Sequence, residues 1–115
     1  MMSDNLPTEI CDVLYQLGLT ANYTGFFHTA YAAQLALQSP QRLCLVTKWL
    51  YPDVAAHYNT TPAAVERNIR ASVFRIWNEA SPQLNKLSCV PLSERPTSAR
   101  FLAILVSYLS HPPPV

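Results

Sequence analysis

The chain has 115 residues, 8 Lys and Arg against 7 Asp and Glu, and a formal net charge of +1. Half of the residues are hydrophobic and 13% are charged, which excludes a disordered tail and favours one folded domain without disulfide staples. The apolar run at residues 101–106 is too short for a membrane span, and residues 1–5 lack the features of a signal peptide. We therefore expect a cytoplasmic protein, and the near-neutral charge argues at first against a nucleic-acid partner.

Apolar residues at helical spacing predict three helices in the first fifty residues. The first covers residues 7–17 and ends at Gly18, where a C-cap glycine belongs. The second covers residues 24–37 and ends before Pro40, because the residue before a proline disfavours helix. The third covers residues 41–50 and turns three apolar side chains inward, namely Leu43, Val46 and Leu50.

A short helix, a turn and a longer helix are predicted next. The short helix runs from Pro52 to Tyr58, and Asn59 tolerates the left-handed conformation of a tight turn. Thr61 is a natural N-cap for a fifth helix that extends to about Trp77. The lengths and the small Ala55 are typical of a helix-turn-helix.

The last part of the chain contains a loop and one more helix. Residues 80–96 lack periodicity and contain three prolines, so we predict an ordered loop. Thr97 caps a last helix through Leu109, and residues 111–115 form a proline-rich tail that cannot be helical. The fold class is therefore all-α, a single bundle of about six helices. The domain covers residues 1–115, including a short N-terminal lead-in and the proline-rich tail.

The fifth helix has two different faces. One face is predicted to be buried, with Val65, Ile69, Ser72, Val73 and Ile76. The opposite face carries Ala63, Arg67, Arg70, Ala71 and Phe74. Small alanines allow a helix to enter the major groove, where arginine forks reach guanine O6 and N7 and Glu66 could accept from cytosine.

A solvated surface is the alternative interpretation of this face. Glu66 and Arg70 have the i,i+4 spacing of a favourable ion pair that needs no ligand. Phe74 is unusual under either interpretation, and it would pack on the loop or mark a protein interface.

Two blocks of sequence resemble the effector domain of the stage-zero sporulation protein A family, transcription regulators of spore-forming Firmicutes. They are Leu50-Tyr51-Pro52-Asp53 and Val65-Glu66-Arg67-Asn68-Ile69-Arg70. Further matches in the same order extend the resemblance over about residues 8–109, at Leu17, Gly18, Gly25, Ile76, Trp77, Pro96, Thr97 and Phe101. The resemblance implies a six-helix domain that binds a short promoter element and contacts RNA polymerase sigma subunits.

The resemblance also implies site residues. Glu66, Arg67 and Arg70 match the base-reading positions, and Thr60 and Thr61 would lie near phosphate at a helix N-terminus. Three further residues are candidate contacts to the DNA backbone, namely Lys48, Arg42 and Arg75.

The chain departs from the family pattern at several of these positions. It has Ala56-His57 where the family has a Lys pair, Ala64 where the family has Arg, and Ala71 where it has His. The affinity for the DNA backbone is therefore expected to be weaker than in the family. A receiver domain, present in family members, is not part of this sequence, so we expect no phosphorylation control through one.

Other chemistries have little support in the sequence. The cysteines, Cys11, Cys44 and Cys89, are too scattered for a disulfide framework or a metal pair, and we expect three buried free thiols. The histidines are equally scattered. No nucleophile and base, phosphate loop or carboxylate pair is recognisable, so we expect no catalytic residue, cofactor, metal or small-molecule substrate.

Two hypotheses about function follow. The first is a sequence-specific regulator that binds double-stranded DNA. The second is a protein-interaction module that binds a full-length regulator or a sigma subunit, or forms a homodimer, with little DNA affinity. The near-neutral total no longer argues against the first, because residues 1–40 carry −3, residues 41–79 carry +2 and residues 80–115 carry +2. Weak non-specific binding is expected, since few phosphates can be neutralised.

Overall fold

The computed structural model describes residues 6–111, which contain six α-helices, one 3-10 helix and no strand. The predicted all-α fold is confirmed. The lead-in at residues 1–5 and the tail residues 112–115 lie outside the described part of the chain. The helices are α1 (Thr8–Gln16), α2 (Thr24–Gln38), the 3-10 helix (Pro40–Cys44), α3 (Val46–Trp49), α4 (Tyr51–His57), α5 (Pro62–Leu87) and α6 (Ser98–Ser110).

Helix α5 is the central element of the bundle, and it packs against α2, α4 and α6. Its buried face follows the prediction, since Val65, Ile69, Ser72, Val73 and Ile76 are all buried. Large apolar side chains from the other helices complete the core, among them Leu14, Phe26, Leu50, Phe101 and Leu105. Each fully buried side chain of this size contributes about 1.5–3 kcal/mol of hydrophobic stabilisation.

Local signals set the ends of several helices as predicted. Gly18 has φ +87°, a left-handed value at the end of α1. The backbone there closes through Leu19 N–H, which donates to Leu14 O at 2.9 Å. The Thr97 hydroxyl accepts from Arg100 N–H at 3.1 Å and caps α6.

The predicted third helix over residues 41–50 was wrong. Leu45 has φ −153° and ψ 76°, which separates a 3-10 helix from the single turn of α3. Leu50 is buried, whereas Leu43 and Val46 are only half-buried. Too few apolar side chains face the core here to hold one continuous helix across the segment.

The predicted end of the fifth helix near Trp77, with a loop from residue 80, was also wrong. Ala80 has non-helical angles (φ −145°, ψ 31°) and kinks α5, after which helix continues to Leu87. Pro82 lies just after the kink, in the first turn of the resumed helix, where a missing N–H is tolerated. Burial of Leu84 anchors this last stretch to the core.

The cysteine prediction was wrong as well. Cys44 and Cys89 are exposed, and Cys11 is half-buried. Among the described residues, no helix has the length and apolar character needed to cross a membrane.

Candidate nucleic-acid interface

The turn between α4 and α5 has the geometry that its residues predict. Asn59 has φ +55°, in the left-handed region. Thr60 N–H donates to Ala55 O at 2.9 Å, which closes the end of α4. The Thr61 hydroxyl then accepts from Ala64 N–H at 3.1 Å and caps α5, which begins at Pro62. The orientation of α5 relative to α4 is therefore fixed by local hydrogen bonds at the start of the longer helix.

Packing below the turn fixes the same pair of helices. Val54 and Ala55 of α4 are buried, as are Val65 and Ile69 of α5. The small side chain of Ala55 lets the helices approach closely, and the arrangement is the predicted helix-turn-helix.

The opposite face of α5 is open to solvent over about three turns. Ala63, Arg67, Arg70, Ala71 and Phe74 are all exposed, as the periodicity predicted. Phe74 retains 50% of its surface. We call these five residues the recognition face.

The two arginines of the recognition face differ in their surroundings. Arg70 Nη1 lies 2.5 Å from Glu66 Oε1, so the predicted i,i+4 ion pair forms. In the described part of the chain, no ion pair or hydrogen bond engages the Arg67 guanidinium. Arg67 can therefore offer its whole donor fork to a ligand, whereas Arg70 is oriented by Glu66 and offers its remaining donors.

Glu66 lies at the boundary between the recognition face and the core. Burial raises the pKa of the nearby Tyr51 to about 12, and the negative charge of Glu66 adds to that effect. Glu66 is half-buried. Its position is therefore constrained by the core on one side and by its ion pair with Arg70 on the other.

The candidate backbone contacts fall into two groups. Thr60 and Thr61 are exposed at the N-terminus of α5, and Lys48 is exposed on α3. Arg42 is held internally, because its Nη1 lies 2.6 Å from both Trp49 O and Asp53 Oδ2. Arg75 stacks on the Tyr23 ring at 4.3 Å and lies 3.5 Å from Glu79 Oε1.

Arg75 also lies away from the first turns of α5. It is eight residues beyond Arg67, about 12 Å along the helix axis and about 80° around it. The structure therefore brings Glu66, Arg67, Arg70, Thr60 and Thr61 together on one end of α5, and it does not bring Arg75 to them.

Sequence reasoning did not single out Arg95. Its guanidinium carbon lies 4.8 Å from the centre of the Phe74 ring. The loop therefore contacts the Phe74 ring, as in one of the two placements that the sequence allowed, while half of the Phe74 surface stays exposed. Residues 88–97 have no periodicity, so no local signal could place Arg95 against α5.

Within residues 6–111, no three His, Cys, Asp or Glu side chains cluster in a way that could hold a metal ion. The chemistry available at the helix-turn-helix is hydrogen bonding and charge. Both suit an extended polyanion with donor and acceptor groups along its edge.

The family model described as "Sporulation initiation factor Spo0A C terminal" matches residues 10–109. The match covers most of the 115 residues, and the chain belongs to this family. The family consists of DNA-binding effector domains and is not a family of enzymes. The resemblance stated from the two sequence blocks is confirmed.

Proposed function

We propose that this member of the Spo0A C-terminal family is a sequence-specific transcription regulator that binds double-stranded DNA through the N-terminal half of α5. The observation that supports the proposal is the recognition face itself. It presents an unengaged Arg67 and a Glu66–Arg70 pair among small side chains. Such a face fits the major groove, whose base edges match arginine forks.

Each residue has a role in this proposal. Arg67 makes a bidentate contact with guanine O6 and N7. Arg70 contacts a second base, and Glu66 orients it or accepts from a cytosine amino group. Thr60 and Thr61 lie near a phosphate at the helix N-terminus, where backbone N–H groups favour an anion. Lys48 is the exposed candidate for a further phosphate contact.

Arg42 and Arg75 have a weaker case as backbone contacts. Each already has a carboxylate partner, Asp53 and Glu79 respectively. A phosphate would have to replace those partners, so we rank both below Lys48.

The test is a titration of labelled duplex carrying the family's promoter element, with a scrambled duplex as reference. Arg67→Ala should lose about 1–3 kcal/mol of binding free energy on the element, because one bidentate base contact disappears. Its affinity for scrambled DNA should change much less. Lys86→Ala removes an exposed cation from the far end of α5, and it serves as the matched control.

Equal affinity of the wild type and Arg67→Ala for both duplexes would contradict sequence-specific binding through this face. A loss of the same size in Lys86→Ala would show a general charge effect instead. The same titration distinguishes these two outcomes.

A protein partner is the second candidate function, and one observation favours it. Leu45 and Trp49 are 43% and 45% exposed, one helical turn apart beside α4. Such a pair suits a sigma subunit, a full-length regulator or a second copy of the chain. Pull-down from nuclease-treated extract, with light scattering of the purified chain with and without DNA, separates this function from the first.

A further inference from the structure

Phe74 is the last residue of the recognition face, one turn beyond Arg70, and the loop after α5 returns to this point. The guanidinium of Arg95 lies over the Phe74 ring, 4.8 Å from its centre. A cation placed over an aromatic face at this distance is attracted to it and loses part of its freedom to move. The stack therefore places a third arginine beside the recognition face, in a groove that Arg70 also lines.

The loop that carries Arg95 is held in place on both sides. Leu92 N–H donates to the side-chain oxygen of Asn85 at 2.7 Å, which ties the loop to the last turns of α5. Pro96 is buried directly after Arg95, and Thr97 caps α6. Arg95 is thus exposed on a segment whose backbone is anchored.

The surface around Arg95 carries excess positive charge. Arg95, Pro96 and Thr97 line one groove together with Glu66 and Arg70. Arg100 lines the adjoining groove, which also contains Glu94. Glu66 is already paired with Arg70, and no carboxylate among the described residues lies within ion-pair distance of Arg95 or Arg100. The two grooves are therefore lined by three arginines, Arg70, Arg95 and Arg100, and by two glutamates, Glu66 and Glu94.

We infer that Arg95, positioned by Phe74, contacts a phosphate of the DNA strand that borders the groove occupied by α5. The inference rests on the proposed function, and it adds a backbone contact outside the helix-turn-helix. Phe74 follows Arg67 by seven residues, about 10 Å along the helix. The major groove is about 12 Å wide, so a group at this distance from a base contact reaches the flanking strand. A stacked guanidinium keeps its N–H edge free for a phosphate.

The experiment measures affinity for the element and for scrambled duplex over a salt series. Arg95→Ala should weaken binding to both duplexes by the same factor, because a phosphate carries no sequence information. The slope of log K against log salt should fall in magnitude by about 0.9, the value for one lost phosphate contact. Arg95→Lys should keep the slope of the wild type, and Lys86→Ala should change neither affinity nor slope.

The role of Phe74 is tested in the same assay. Phe74→Leu should weaken binding to both duplexes by less than Arg95→Ala does. In the Arg95→Ala background, Phe74→Leu should have no further effect, because its only part is to position the arginine. Thermal unfolding of each variant separates loss of binding from loss of fold.

An unchanged salt slope in Arg95→Ala, with Arg67→Ala still losing discrimination, would overturn this inference and leave the proposed function standing. The inference would also be overturned if Lys86→Ala reduced the affinity and the salt slope as much as Arg95→Ala does. If the wild type binds neither duplex, the proposed function fails, and the inference fails with it.

Discussion

Gly25 lies on α2 where this helix packs tightly against α5. A Cβ built on it would lie 2.0 Å from Ser72 Oγ and 2.6 Å from the backbone oxygen of Asn68. The same two residues are already bonded to each other, since Ser72 Oγ donates to Asn68 O at 3.0 Å. Asn68 Nδ2 also lies 3.3 Å from Nδ1 of the buried His28. No side chain fits at position 25 unless this hydrogen-bonded contact moves.

Gly25→Ala should therefore destabilise the fold by about 1–3 kcal/mol, the range for overpacking a tight contact. The better helix propensity of alanine recovers only about 0.5–1 kcal/mol, and less near a helix terminus. Urea unfolding of the two proteins measures the difference. Thr24→Ala changes the exposed neighbour and should stay within about 0.5 kcal/mol of the wild type. An unfolding midpoint for Gly25→Ala at or above the wild-type value would contradict the packing argument.

For single residues, the sequence predicts which side chains could contact DNA. It does not predict which of them already have a partner within the fold. The sequence proposed a DNA contact for both Arg67 and Arg42, and it does not show whether either guanidinium has a partner within the fold. The structure leaves Arg67 exposed on α5 and binds Arg42 to Asp53, 11 residues away. Arg95 reaches Phe74 across 21 residues. Partners so far apart depend on the tertiary fold, which periodicity does not encode.

Helices were predicted well where their ends depend on local chemistry. Gly18, Thr61 and Thr97 each mark a boundary through their own φ value or hydroxyl bond. The predictions were wrong where tertiary packing, not local sequence, determines whether a segment is helical. Helix α5 resumes after Ala80 because Leu84 is buried against the core. No rule that treats Pro82 as a helix end could foresee that contact.

The start of α5 matters most for the proposed site, because Thr61 caps the helix that carries the recognition face. Thr61→Ala should destabilise the protein by about 1 kcal/mol, since Ala64 N–H loses its acceptor. Thermal unfolding at fixed pH measures this change. Thr60→Ala is the matched control for stability, because Thr60 is exposed and provides no cap. Equal stability of the two variants would show that the cap does not hold the end of α5.

Over the whole molecule, the near-neutral net charge is the sum of an acidic N-terminal part and a basic remainder of the chain. Residues 1–40 contain three acids and no Lys or Arg, whereas the arginines of the recognition face and the loop lie on α5 and beside α6. Two of these acids, Glu9 and Asp12, lie on α1, which does not belong to the proposed contact surface. Total charge is therefore a poor guide to partners here, and the distribution over the fold is the relevant quantity.

This distribution also limits how strongly the protein can bind DNA without regard to sequence. Arg42 and Arg75 are engaged by Asp53 and Glu79, and the positions of the family's Lys pair hold Ala56 and His57. Few cations remain to neutralise phosphates.

With about three or four phosphate contacts, the slope of log K against log salt should be about −3, since each contact contributes about 0.9. Titrations of the wild type on scrambled duplex over a salt series measure it. A slope steeper than about −6 would mean that more phosphates are neutralised than the exposed cations of this surface can account for. In that case Arg42 and Arg75 would have to exchange their carboxylate partners for DNA, and variants at those two positions would reduce the slope.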